Sequence, residues 1–263
     1  MANCLTVNLG LIRYGEAWEL QNRLVAARKA DAIEDVLLFC QHPHVITLGR
    51  NGKRENLLAS EHVLRQKGVE FHATNRGGDI TYHGPGQIVG YPILNLGAIR
   101  RDVVWYVRTL EEAMIRTSVE FGIIAGREPG KTGVWVDSST SHQSRVTSHP
   151  SDLPLATRYS SLATSEKLGA IGVHVSRWVT SHGFAYNVST DLRFFDLIVP
   201  CGISDRKATS LEKLLGRSVE VNEVLPKMAW HLGELFGLEH KEITKEYLLE
   251  KLEHAEQSLA VSA

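Results

Sequence analysis

A cysteine held between proline and glycine, in Val199-Pro200-Cys201-Gly202-Ile203, combines a reactive atom with a loop setting. Proline fixes the angle at which the chain arrives, and glycine leaves room beside the sulfur for a substrate carbonyl. A free thiol with a pKa near ~8.5 is only a few per cent thiolate at neutral pH, so nucleophilic use demands a nearby cation or base. An ordinary loop cysteine is the competing reading. Cys4 and Cys40 lie inside apolar strand patterns and read as inert packing residues. Lys167 introduces Leu168-Gly169-Ala170-Ile171-Gly172-Val173, whose small residues leave space beside a ligand, though a lysine opening a strand is also a common solvated edge residue. Ser181-His182-Gly183-Phe184-Ala185-Tyr186-Asn187 opens a second strand of small residues. The third group is the run RGGDITYHGPGQ at 76–87, where four glycines would let backbone approach a ligand while Tyr82 and His83 line a pocket. It has neither the Walker lysine nor G-x-G-x-x-G, and an ordinary glycine-rich hairpin corner is the alternative. His42, His44, His72, His83, His174 and His182 match no closed zinc spacing, so no metal is expected.

The elements that must carry these groups follow from periodicity. A strand over 4–9 and a helix over 14–30 open the chain, and short β-rich runs at 36–40 and 45–48 are broken by His42-Pro43. Ser60 caps a short helix that Gly68 stops, and residues 69–73 alternate again. Arg76-Gly77-Gly78-Asp79 reads as a turn before strands at 80–82 and 87–96. Asp102 caps the strongest helix, with Val103, Tyr106, Val107, Leu110, Met114 and Val119 as its apolar stripe and Gly122 as its end. Residues 132–136 and 168–175 read as paired strands, and 183–188 as a third. Between the first two, residues 138–166 are rich in Ser and Thr without apolar periodicity, which predicts a polar, flexible insertion. The remainder reads as helical: 211–215 behind a Thr209-x-x-Glu212 capping box, 223–236 capped by Asn222 and stopped by Gly237, and 245–259. The sum is α+β (or α/β), a mixed sheet flanked by helices in one domain over 1–263, with 241–263 as a helical C-terminal extension.

Composition narrows the classes. With 263 residues and 43% hydrophobic content the chain can build a core without staples. Its 29 Lys+Arg against 30 Asp+Glu give no global case for nucleic acid or a membrane surface, so a charged partner must meet a local patch. Arg50, Lys53 and Arg54, or Arg100-Arg101, are candidates for that patch, with solvated loops as the alternative. Three cysteines cannot all pair, no apolar run approaches the ~18 residues of a membrane span, and the first residues carry no targeting charge. A cytoplasmic protein starting near Met1 is expected.

Together, RGGDITYHGPGQ (76–87), TGVWVD (132–137), KLGAIGVHVSRWVTSHGFAYNV (167–188) and VPCG (199–202) resemble the octanoyltransferase family, the lipoyl(octanoyl) transferases of lipoate biosynthesis. HPHVITLGR (42–50) and TSLEKLLG (209–216) extend the resemblance from about residue 5 to about 240. It implies the fold shared with biotin and lipoate protein ligases. The implied reaction moves octanoyl from acyl carrier protein to one lysine of a lipoyl domain, of 2-oxoacid dehydrogenase E2 subunits or glycine cleavage H protein, with no cofactor. It also implies that Cys201 bears the acyl group and Lys167 is its acid/base partner. Arg76, Gly77, Gly78, Asp79, Ile80, Thr81, Tyr82, His83, Ala170, Ile171, Gly172, Gly183, Phe184 and Ala185 would line the acyl site. The chain departs from the pattern at His174, where arginine is common, at Tyr186, where leucine is common, and in the length of 138–166. Two rivals compete: an ATP-dependent lipoate or biotin protein ligase, which needs no cysteine, and a non-catalytic acyl-binding module, which needs neither Cys201 nor Lys167.

Overall fold

The computed structural model describes residues 2–137, 165–199 and 207–261, so Cys201 and nearly all of the expected 138–166 insertion lie outside the described residues. An eight-stranded mixed sheet runs in the order β11-β1-β2-β6-β10-β9-β8-β7. Its members are β1 (Ala2–Leu11), β2 (Asp35–Gln41), β6 (Gln87–Ile93), β7 (Gly126–Glu128), β8 (Lys131–Asp137), β9 (Ser165–Ser176), β10 (Val179–Asn187) and β11 (Leu238–Glu242). β11, β1 and β2 are parallel, and every pairing from β2 to β7 is antiparallel. β3 (Val45–Leu48), β4 (Glu70–Ala73) and β5 (Ile80–His83) make a separate three-stranded sheet.

Helices cover both faces of the large sheet, which explains the unbroken apolar runs of β2 and β6. On one face α4 (Val103–Glu120) and α6 (Val221–Phe236) pack Tyr106, Leu110, Met114, Met228 and Leu232 against Phe39, Ile88, Leu168 and Tyr186. On the other, α1 (Tyr14–Lys29) and α7 (Lys245–Val261) pack Leu20, Leu24, Leu248 and Leu252 against Val36, Leu38, Val89 and Tyr91. α2 (Glu61–Gln66) and the 3-10 helix Leu192–Leu197 close the small sheet over Ile46, Ile80 and Tyr82.

Local chemistry sets several boundaries as expected. Ser60 Oγ accepts from Val63 N at 3.4 Å, and Asp102 Oδ1 accepts from Trp105 N at 2.8 Å. Other expectations are corrected. Val103 is 40% exposed because it stands at the first turn of α4, beyond the sheet, and the buried stripe continues instead through Ala113 and Thr117. The strand expected over 87–96 ends at Ile93, since Asn95 accepts from Gly97 N at 2.9 Å and starts the short helix α3 (Leu96–Ile99). The cap of α5 (Leu211–Leu215) is Ser210, not Thr209, whose backbone is engaged in strand-like bonding. α6 begins one residue before Asn222, with Glu220 and Glu223 forming its capping box. Between α6 and α7 lies β11, whose last two residues fall in the expected 241–263 helical extension and which adds to the sheet edge beside β1.

β9 and β10 form the hairpin that matters most for the site. Their two-residue turn puts Arg177 and Trp178 at φ 51° and 64°, the left-handed geometry that matches strand twist. Lys167 is the third residue of β9 rather than the first, because Ser165 and Glu166 already pair with Asp137 and Val136.

Candidate active site

Loop 76–79, between β4 and β5, lies directly on β9. Gly77 N donates to Val173 O at 2.9 Å, while Gly49 N and Asn51 N donate to Asp79 O and Gly78 O at 3.0 and 3.2 Å. A Cβ on Gly77 would sit 3.0 Å from Val173 O, and one on Gly172 would sit 2.8 Å from Gly77 O. Only glycine on both sides allows this contact. Arg76 is 7% exposed and is clamped on β3, its Nη2 donating to Thr47 O at 2.7 Å and its Nε to Thr47 Oγ1 at 3.1 Å. Asp79 accepts from Asn56 Nδ2 at 2.6 Å and from Ile80 N at 2.7 Å. The run read as a turn is thus a fixed wall.

Between this wall and the β6-β10-β9 sheet is a cavity of about 570 Å³, within the range of small-molecule sites. It is lined by Arg76, Gly77, Gly78, Asp79, Ile80, Thr81 and His83 from one side, and by Lys167, Ala170, Ile171, Gly172, Gly183, Phe184 and Ala185 from the other. Tyr82 is turned away: its hydroxyl is 2.7 Å from His44 Nδ1, and its ring stacks on Phe194 with centroids 5.2 Å apart. Of the residues singled out on the sequence, Tyr82 therefore lies behind the cavity wall. Tyr14, Gln87, Tyr91, Trp135, Asn187 and His182 also line the cavity. Tyr14 reads on the sequence as one more helix residue and Trp135 as one more strand residue. Only the packing of α1 and β8 shows which way they face.

Lys167 stands at one end of the cavity, its Nζ 4.8 Å from the centroid of the Trp135 ring. Its backbone is tied on both sides to the segment that follows Cys201: Lys167 N donates to Lys207 O at 2.8 Å, and Thr209 N donates to Lys167 O at 2.9 Å. Gly133, at φ 117°, lies beneath the side chain, where a Cβ would come 2.8 Å from Lys167 Cε. Phe195, Lys207 and Ala208 line the same cavity.

Tyr14, Tyr91, His83 and His182 also line the cavity, and His42 packs behind them on Tyr14 and His83. Burial chiefly, with His42 and the Arg76 guanidinium adding to it, pushes His83 down to about 3. Burial and the Arg76 guanidinium push His182 down to about 3, and burial pushes His42 down to about 4. All three are neutral near pH 7. In the unfolded chain each takes a proton near pH ~6.5, so below that pH the unfolded state binds more protons and folding stability falls. Each imidazole contributes about 1.4 kcal/mol per pH unit, and the three together roughly 4 kcal/mol per unit, between about pH 6 and 4.5. Urea unfolding across that range is expected to show a steep loss; a flat profile would mean that the imidazoles are hydrated and titrate normally.

Of the expected docking arginines, Arg54 lies over Phe71 and 3.6 Å from Glu61, and Arg100 over Trp105 and 3.2 Å from Asp102. Among the described residues no helix is long and apolar enough to cross a membrane.

Beside this mixed sheet with helices on both faces and its glycine-walled cavity, residues 13–233 match the lipoyl protein ligase A/B catalytic domain. The chain belongs to that family. Its relatives include the octanoyltransferase of Solibacter usitatus, 48% identical over 239 residues that cover 91% of this chain and 96% of the relative. The octanoyltransferase of Caldicellulosiruptor saccharolyticus is 45% identical over 244 residues, 92% of each chain. Among solved structures, the bipartite lipoate protein ligase of Thermoplasma acidophilum superposes with a TM-score of 0.67 at 16% identity, over 98% of this chain and 92% of that one. Lipoate-protein ligase A bound with ATP gives 0.66 at 14% identity, over 98% and 94%. These two structures share the fold.

Proposed function

We propose that this protein transfers an octanoyl group from the thioester of acyl carrier protein to a lysine of lipoyl domains, with Cys201 carrying the acyl group between them. The observation that supports this reading best is the pairing of Lys167 with the 207–209 backbone at one end of an acyl-sized cavity. Burying an alkyl chain along Ile171, Phe184 and Ala185 stabilises binding by about 0.8 kcal/mol per methylene. Exchange of one thioester for another is nearly balanced and aminolysis to an amide is downhill, so the donor already supplies the activation.

In the first half-reaction Lys167 as a free amine takes the Cys201 proton, the thiolate attacks the donor carbonyl, and the Lys167 ammonium protonates the departing pantetheine thiol. In the second, Lys167 accepts a proton from the acceptor lysine, which attacks as a free amine and expels the Cys201 thiolate. Lipoyl domains of 2-oxoacid dehydrogenase E2 subunits and the glycine cleavage H protein are the acceptors in this reading, and the cytoplasm is where it would work.

The test uses purified octanoyl-acyl carrier protein and an apo lipoyl domain, with and without ATP. Transfer at the same rate in both is expected. Strict dependence on ATP, with free octanoate or lipoate as the preferred substrate, would instead make the protein a ligase, the activity of its structural neighbours.

A further inference from the structure

A directed chain of hydrogen bonds runs from His83 to the carbonyl of Thr209, a residue whose own N–H bonds the backbone of Lys167. Gln87, at the start of β6, accepts from His83 Nδ1 at 2.7 Å and donates through Nε2 to Asn187 Oδ1 at 2.9 Å. Asn187, the last residue of β10, donates through Nδ2 to Thr209 O at 2.9 Å. Thr209 N then donates to Lys167 O at 2.9 Å, and Lys167 N to Lys207 O at 2.8 Å. Gln87, Asn187 and Thr209 are all at least 95% buried, where bonds aligned head to tail strengthen one another. Two apolar side chains would fill the same space in β6 and β10 without a desolvation cost. What only the amides provide is a tie from the sheet to the Thr209 carbonyl. Their polar atoms are engaged with each other, with His83, with Tyr82 O and with Thr209.

Building on the acyl-transfer reading above, we propose that Gln87 and Asn187 are positioning residues, which hold residues 207–209 against β9 and so set where Lys167 stands relative to the acyl-bearing sulfur. The effect is indirect, through the backbone of the segment that follows Cys201.

Asn187→Asp tests this, because it keeps an acceptor toward Gln87 but places an acceptor where the Thr209 carbonyl needs a donor. Two readouts are taken on the full-length protein: kcat and KM for octanoyl transfer, and the pH dependence of alkylation by iodoacetamide. Cys4 and Cys40 are buried with thiols pushed far up, so alkylation reports on Cys201. The expected result is a kcat loss on the order of 10- to 100-fold with donor KM little changed. Alkylation at neutral pH should slow on the order of tenfold, as for a thiol titrating about one unit higher. Ser118→Ala is the matched control, since it removes another buried bond, Ser118 Oγ to Tyr186 Oη at 2.7 Å, that makes no link to residues 207–209. It should lower Tm and leave both readouts unchanged. If the aspartate prevents folding, Asn187→Ser carries the same comparison. An Asn187 variant that loses only Tm, with wild-type kcat and alkylation profile, overturns the inference. A shifted alkylation profile in a protein that transfers no octanoyl would uphold the positioning role and reject the acyl-transfer reading.

Discussion

Replacing Cys201 by alanine is expected to reduce octanoyl transfer to background, a loss on the order of 10⁴-fold or more, because the acyl group then has no atom to rest on between donor and acceptor. The sulfur is the only part removed, and the bonds that join residues 207–209 to Lys167 are made by backbone, so Tm should stay near the wild-type value. Donor binding should also persist, since the cavity walls from loop 76–79, β9 and β10 are untouched. The measurement is steady-state transfer beside thermal unfolding of the same preparation. A variant that keeps a tenth of wild-type activity would mean that the acceptor lysine attacks the carrier thioester directly.

Lys167→Ala carries the second large effect, a loss on the order of 10² to 10⁴ in kcat, the usual cost of removing a general acid/base. Lys167→Arg is the sharper test. Guanidinium keeps the positive charge and can still lie on the Trp135 ring, but it does not deprotonate at working pH. If the lysine only stabilises a thiolate by charge, the arginine variant recovers most of the activity. If it moves protons in both half-reactions, arginine remains nearly as impaired as alanine, which is the expected outcome.

The parts of this molecule legible in its sequence are those fixed by local chemistry. Ser60 and Asp102 announce helix starts through their own side chains, and the runs at 168–175 and 183–188 announce strands, which the structure joins in one hairpin. The glycines of 76–87 signal close approach, although not that Gly77 and Gly172 meet each other across two sheets. Illegible were the features set by partners distant in sequence. β11 is a polar run, Leu-Glu-His-Lys-Glu, and is a strand only because β1 offers an edge some 236 positions away, Ala2 pairing with Leu238. The cap at Ser210 displaced Thr209 because the Thr209 backbone is held by Lys167. Tyr82 reads on the sequence as a pocket-lining residue, yet its stack on Phe194 and its bond to His44 turn it away. His182 stands in β10, in the run read as a strand start, but at a φ of 54° that no sequence pattern signals.

The central claim is a covalent acyl-enzyme on Cys201, and the most direct measurement is the intact mass of the full-length protein after exposure to octanoyl-acyl carrier protein without acceptor, followed by peptide mapping. The account predicts a gain of one octanoyl group, removed by hydroxylamine, discharged by an apo lipoyl domain and located on Cys201. No adduct under conditions that support transfer, or an adduct on Cys4 or Cys40, would contradict it.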